Sequence, residues 1–178
     1  MQNVDAMWRV FSLDERIKHI MKMLDEVDMM VPALCLVKPK SSGELRLRSK
    51  DPAVLIKIYG NFYSEHENVE VMLKFLDFIK KMLKTEAFVR REVWLHHLDI
   101  PDCRRTEPDS DEYWRCNLRH MSMAFYHPVE TAKMGPRDDL TAVVDAQLRV
   151  YGVQDLRVID ASIMPTITSG PTNAPTIH

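Results

Sequence analysis

The 178 residues of this chain are enough to form one domain, or two small lobes, around a buried core. Hydrophobic residues make up 46% of the chain and charged residues 28%, a balance that argues against wholesale disorder. The formal net charge of -2 excludes the strong positive field that draws proteins to nucleic acid or anionic membranes. No apolar run approaches the roughly 20 residues needed to span a bilayer.

The first predicted element is an amphipathic leader helix within residues 1–30. Ser12 and Glu15 have the spacing of a capping box, and apolar residues follow on one face: Ile17, Ile20, Met21, Leu24 and Val27. Residues 1–16 lack the basic start and apolar stretch of a cleavable signal peptide. The sequence therefore leaves the localisation open, including an extracellular location for a longer parent protein.

Strands and two further helices are predicted in the middle of the chain. Residues 31–37 form an apolar run, and Leu45 and Leu47 alternate with arginines after a turn-rich segment, so both stretches are predicted strands. A long helix is predicted from Ser64, with one apolar face: Val69, Met72, Leu73, Leu76, Ile79 and Leu83. A polar loop then leads to a helix over about 111–123.

Three cysteines, Cys35, Cys103 and Cys116, are too few for a disulfide scaffold and lack zinc-type spacing. Cys103 and Cys116 either pair or remain free, partly buried thiols, because proximity in sequence does not decide disulfide geometry. No histidine has a convincing ligand partner, so the sequence predicts no metal site.

From residue 142 onward, short β-type runs alternate with turns. The runs cover 143–144, 148–150 and 156–159, and Tyr151-Gly152 is a predicted turn. A strand ending at Asp160 leads into a loop rich in proline, threonine and serine. Pro175 suits the first turn of a short final helix.

Two segments carry candidate chemistry. His127 precedes a proline, which disfavours helical backbone at the histidine and presents the imidazole from an extended segment. The pKa of histidine suits proton transfer near neutrality. Residues 160–162 place a carboxylate and backbone N–H groups at a strand end, where open α/β sheets bind ligands. A structural histidine and a structural turn remain the alternatives.

Five blocks in consistent order resemble the C-terminal region of the glucose-methanol-choline (GMC) oxidoreductases, nearest to the insect glucose dehydrogenase-like group. The blocks are 126–129 (YHPV), 133–136 (KMGP), 142–145 (AVVD), 148–153 (LRVYGV) and 156–165 (LRVIDASIMP). Weaker similarity runs through residues 37–52, so the resemblance covers about residues 30–178.

The resemblance implies a flavoprotein in which FAD takes a hydride from an alcohol or sugar while a histidine accepts the hydroxyl proton. His127 matches that proton acceptor. The resemblance also implies that Asp160 and Ala161 touch FAD, and that Thr172 and Asn173 lie at a helix start near the flavin ring. The implied partners are the alcohol or sugar and a quinone or oxygen as electron acceptor, with no nucleic acid and no membrane span.

Three departures from the family pattern bear on activity. Pro171 occupies the family's second catalytic position, usually Asn or His, and proline can neither donate a hydrogen bond nor carry a proton. Glu130 stands where the family usually has glycine, and a carboxylate there would perturb the base or crowd the turn. The G-x-G-x-x-G segment that grips the FAD pyrophosphate is absent from these 178 residues.

The sequence thus predicts a mixed α+β chain with two parts. Residues 1–130 are predicted as a substrate-binding lobe, an antiparallel sheet backed by helices. Residues 131–178 are predicted as the C-terminal part of an FAD-binding α/β domain, cut short at its end. Two functions follow from these expectations: FAD-dependent oxidation of a CH–OH group, by a fragment that is inactive alone, or a catalytically inactive relic or binding protein.

Overall fold

A computed structural model of the chain describes residues 15–22 and 28–177. Its helices and strands, in chain order, are α1 (Glu15–Lys22), β1 (Glu44–Arg46), β2 (Lys57–Tyr59), α2 (His66–Leu83), α3 (Glu86–Val89), α4 (Asp111–His120) and α5 (Asn173–Ile177). Two short 3₁₀ helices lie at Pro101–Cys103 and Ala161–Ile163. Helices accompany one antiparallel strand pair, which agrees with the predicted α+β class. Within the described ranges, no helix is long and apolar enough to cross a membrane.

The chain forms two compact units. The described residues of the first unit fall within 1–36 and 62–123, and those of the second within 37–61 and 124–178. The β1–β2 pair therefore belongs to the second unit, together with the C-terminal segment. The predicted division at residue 130 distinguishes a substrate-binding lobe from a cofactor-binding part, and it does not coincide with a boundary between the two compact units. This functional division remains a prediction.

The core of the first unit lies where α2 meets α4 and the 3₁₀ helix before it. Its buried members are Leu73, Leu76, Ile100, Cys103, Tyr113 and Trp114. The Tyr113 hydroxyl donates to the carbonyl of Leu98 at 3.0 Å, and the Trp114 indole N–H donates to Asp109 at 2.8 Å. Both aromatic side chains are buried with their polar atoms hydrogen-bonded, so they stabilise the core without an unsatisfied donor.

The two middle helices are confirmed; α4 begins at the predicted residue, Asp111, and α2 begins two residues later than predicted. α2 begins at His66, and its N-cap residue Glu65 makes no side-chain capping bond, so the predicted start at Ser64 is wrong. Ser110 does cap α4, because its side chain accepts a hydrogen bond from the Tyr113 N–H at 3.1 Å. The predicted cap at Ser12 lies outside the described residues.

The predicted strands are confirmed only in part. β1 overlaps the predicted alternating segment and pairs with β2, with Leu45 opposite Ile58. Residues 31–37 form no strand. An apolar run alone does not specify a strand, since the run also needs a neighbouring backbone to hydrogen-bond. β2 was not predicted, although the pairing of β1 depends on it.

A covalent link crosses the core of the first unit. Cys103 and Cys116 form a disulfide with a Cα–Cα distance of 5.7 Å. Of the two alternatives left open by the sequence, the structure contains the paired form. The third cysteine, Cys35, is a free and exposed thiol.

Bridges and turns, rather than long strands, build the second unit. The short β-type runs after residue 142 form isolated bridges, which join Met134 to Val144, Val144 to Val150, and Arg149 to Arg157. Val144 lies at the centre of this network and is completely buried. Gly152 has a φ of +79° in the predicted turn, a conformation that favours glycine. The runs were placed correctly, but each is too short to form a regular strand.

Candidate active site

A tight turn in the second unit presents His127. The His127 N–H donates to the Ala124 carbonyl at 3.1 Å, and the two residues between them, Phe125 and Tyr126, have φ values of 51° and 62°. Two successive residues with left-handed φ values, closed by a hydrogen bond between the residues on either side of them, define a type I′ turn. Residues other than glycine are strained in this backbone conformation, and they keep it only where the surrounding structure fixes the turn. The imidazole is therefore presented directly after a strained turn.

The imidazole of His127 contacts Thr172, which lies 45 residues further along the chain. The Nδ1 atom is 3.1 Å from the Thr172 Oγ1, and the Thr172 backbone N–H donates to Nδ1 at 3.5 Å. Thr172 is buried, with 6% of its surface exposed, whereas His127 is half-buried. The hydroxyl donates to Nδ1 in one imidazole tautomer and accepts from Nδ1–H in the other. Two residues that the sequence assigned to separate roles thus lie in direct contact.

Backbone hydrogen bonds join the segment after His127 to the turn after Asp160. The Ala132 N–H donates to the Ser162 carbonyl at 3.0 Å, and the Met134 N–H donates to the Ile163 carbonyl at 2.8 Å. Two blocks of the family-like sequence, 133–136 and 156–165, are therefore tied together within one unit.

Asp160 caps the short 3₁₀ helix that follows it. Its carboxylate accepts a hydrogen bond from the Ser162 N–H at 2.8 Å. Hydrogen bonds from the side chain and backbone of Ser162 hold the pKa of Asp160 below its usual value. The predicted strand ending at Asp160 is absent, and only the bridge at Arg157 remains of it. The carboxylate is exposed, and Ala161 beside it is half-buried.

The remaining predicted site residues lie at the C-terminal end of the second unit. Pro171 is exposed and directly precedes the buried Thr172. Asn173 is the first residue of α5, a helix of five residues, and is exposed. Pro175 lies in the first turn of α5, as predicted, where a missing N–H has least effect.

Glu130 adopts a backbone conformation that favours glycine. Its φ is +77°, and its carbonyl accepts a hydrogen bond from the Lys133 N–H at 3.1 Å, which closes the turn after Pro128. Glycine reaches this left-handed region without the clash that a Cβ creates. The turn geometry therefore supplies a physical reason for the glycine that the family resemblance places at this position.

The sequence analysis missed a polar cluster that orders the loop beside the second block. The Lys133 Nζ lies 2.7 Å from the Asp139 Oδ2, and Thr141 donates to the Asp139 Oδ1 from its hydroxyl at 2.7 Å and its backbone N–H at 2.9 Å. The hydrogen bonds from Lys133 and Thr141 hold the pKa of Asp139 far below its usual value. The cluster spans a loop, so no periodic pattern could have indicated it.

A shallow hollow of about 500 Å³ also lies in the second unit. Its lining residues are Met134, Gly135, Pro136, Asp145, Ala146, Gln147 and Tyr151. None of the predicted site residues lines this hollow, so it is separate from the contact between His127 and Thr172.

Comparison with known proteins assigns the chain to a family. The C-terminal family model described as GMC oxidoreductase matches residues 39–178. The chain therefore belongs to the GMC oxidoreductase family, and the resemblance drawn from the five blocks is confirmed.

Individual relatives agree with this assignment. A glucose dehydrogenase (FAD, quinone) of Drosophila pseudoobscura pseudoobscura is 34% identical over 142 residues, covering 80% of this chain and 23% of the relative. An oxygen-dependent choline dehydrogenase of Sinorhizobium medicae is 40% identical over 141 residues, covering 78% and 24%. The solved structure of a fungal aryl-alcohol oxidase matches with a TM-score of 0.65 at 27% identity, covering 79% and 22%. The chain thus spans about a quarter of the length of these relatives.

Proposed function

We propose that this chain is the C-terminal portion of an FAD-dependent oxidoreductase that acts on a CH–OH group, with His127 as proton acceptor. The observation that carries the proposal is the contact of 3.1 Å between the His127 Nδ1 and the Thr172 Oγ1. It joins the segment of the candidate base to the segment of the candidate flavin contacts. Relatives named as a glucose dehydrogenase and an aryl-alcohol oxidase support an alcohol or sugar as donor. The electron acceptor is a quinone or oxygen.

The residues present fit one side of a flavin site. Asp160 and Ala161 on one turn, and Thr172 and Asn173 at the start of α5, are the residues that would hold FAD. The segments that carry them are joined through the His127–Met134 stretch. When bound, FAD supplies the hydride acceptor. A glycine-rich pyrophosphate segment is not among these 178 residues, so binding of the FAD pyrophosphate would require polypeptide beyond them.

Thr172 positions the imidazole for its role as a base. The role as a base uses the tautomer that is protonated on Nδ1. In this tautomer Nδ1–H donates to the Thr172 hydroxyl instead of accepting from the Thr172 N–H, and the lone pair of Nε2 is left to accept the hydroxyl proton of the donor. A base that is oriented by a second polar group is a recurring arrangement in proton-transfer sites. The turn behind the ring is closed by the hydrogen bond from the His127 N–H to the Ala124 carbonyl.

The test uses a chimera in which residues 39–178 replace the matched segment of the Drosophila pseudoobscura glucose dehydrogenase. We expect the chimera to be yellow with bound flavin and to reduce a quinone when it is given glucose or a simple alcohol. His127→Asn should retain the flavin and lower kcat by about 10²- to 10⁴-fold, because a positioned general base is lost. Undiminished turnover by His127→Asn would rule out the base, and a folded but colourless chimera would rule out the flavin role.

A second candidate function is a catalytically inactive relic or binding protein. Two observations favour it: Pro171 offers no donor at the second catalytic position, and Glu130 occupies a turn position suited to glycine. The same chimera distinguishes the two functions. If the relic is correct, turnover should require Pro171→Asn together with Glu130→Gly, whereas strong activity without these changes excludes it.

A further inference from the structure

The first unit carries a cluster of metal-ligating side chains that includes none of the candidate active-site residues. The two sulfur atoms of Cys103 and Cys116 and a ring nitrogen of His120 all lie within 4.8 Å of one another. Cys116 and His120 are four residues apart on α4, so they project from one face of the helix. Cys103, in the preceding 3₁₀ helix, faces them and is 2% exposed, while the other two are half-buried.

We propose that the reduced form of this chain binds a zinc ion through Cys103, Cys116 and His120. Two thiolates and an imidazole are typical zinc ligands, with a water molecule in the fourth tetrahedral position. Thiolates on tetrahedral zinc, at about 2.3 Å from the ion, lie roughly 3.8 Å apart. The two sulfur atoms, bonded in the disulfide, would need to separate by roughly 2 Å. Side-chain rotation can supply this movement at a Cα–Cα distance of 5.7 Å.

The carboxylate of Asp102 lies near the histidine of this cluster. Its Oδ2 lies 3.7 Å from the His120 Nε2, and Arg16 donates to the same oxygen at 3.3 Å. A carboxylate near one ring nitrogen is a usual partner of a histidine that binds a metal through its other nitrogen.

The disulfide and the zinc site are mutually exclusive states of the same two cysteines. A dithiol supplies two electrons and two protons, which break the S–S bond and form two thiols, while the dithiol itself becomes a disulfide. Zinc then displaces both thiol protons, because the thiolate is the ligand form of cysteine. Binding of zinc is therefore gated by reduction.

The experiment titrates the whole chain with zinc in a Cys35→Ser background, so that Cys103 and Cys116 are its only thiols. A phosphine reductant opens the disulfide, and a chromophoric indicator competes for the metal. We expect one zinc ion per reduced chain and none bound by the oxidised chain. His120→Ala should weaken the affinity at least about tenfold. His66→Ala, which removes an exposed imidazole from the same unit, should leave the affinity unchanged.

Each other outcome overturns the proposal. Equal zinc affinity in the reduced chain and its His120→Ala variant would remove the histidine from the site, and binding by the oxidised chain would remove the thiolates. If reduction unfolds the first unit, zinc should restore its helical circular dichroism, and a chain that stays unfolded at saturating zinc contradicts the site. None of these measurements involves flavin or an alcohol, so their failure is distinguishable from failure of the proposed function.

Discussion

Glu130 and Gly152 have nearly the same positive φ, 77° and 79°, but only Gly152 is a residue type that adopts it without strain. We expect Glu130→Gly to raise the free energy of unfolding by about 0.5–1 kcal/mol, because relief of the Cβ clash exceeds the added chain entropy of glycine. Gly152→Ala, the matched control, should lower it by about 1 kcal/mol. Urea denaturation followed by circular dichroism measures both changes. A neutral or destabilising Glu130→Gly would show that the turn tolerates the side chain.

Asp139 should make stability depend on pH in the acid range. Its pKa in the folded chain lies below the unfolded value because Lys133 and Thr141 hydrogen-bond to the carboxylate. A group of this kind contributes stability above its unfolded pKa, and the contribution is lost as the pH falls through the folded pKa. We therefore expect the stability of the chain to decline below about pH 4, and Asp139→Asn to reduce that decline.

Urea midpoints between about pH 2 and 6 would test the role of Asp139, since this interval brackets the usual carboxylate pKa. The exposed neighbour Asp138, changed to asparagine, serves as the control. Superimposable pH profiles for Asp139→Asn and the unsubstituted chain would contradict the assignment.

Among the secondary-structure elements, α2 and α4 differ in how they begin, and this difference can be measured. Ser110 accepts a hydrogen bond from the Tyr113 N–H, whereas Ser64 lies before the N-cap residue of α2. We expect Ser110→Ala to lower the free energy of unfolding by about 1 kcal/mol, the usual effect of losing a cap. Ser64→Ala should change it by less than about 0.5 kcal/mol. Thermal denaturation measures both variants. Equal losses of unfolding free energy in Ser110→Ala and Ser64→Ala would mean that Ser64 also stabilises its helix.

Helices were easier to predict than strands because their hydrogen bonds are local. The apolar positions of α2 recur at helical spacing, and most of them are buried in the structure. A strand requires a partner elsewhere in the chain, and β1 finds one in the unpredicted β2. Residues 31–37 have the apolar character of a strand but form none. Apolar composition was therefore insufficient where the backbone had no paired neighbour.

At the scale of the whole molecule, the disulfide between Cys103 and Cys116 should be a major source of stability for the first unit. It closes a loop across 13 positions between the 3₁₀ helix and α4. Cross-linking a loop of this size restricts the unfolded chain and contributes about 3 kcal/mol. We expect Cys116→Ser to lower the free energy of unfolding by that amount under oxidising, zinc-free conditions. Cys35→Ser, at an exposed free thiol, is the control, and comparable urea midpoints for the two variants would contradict the prediction.

Residue types and short spacings in the sequence were enough to assign the family, the two middle helices and His127 as a candidate base. These features depend on neighbours in the chain, which the sequence displays directly. The contact between His127 and Thr172, the pairing of Cys103 with Cys116 and the approach of His120 to both sulfur atoms were decided only by the tertiary structure. Each depends on how the backbone folds between the partners, and the pattern of residues does not encode that path by itself.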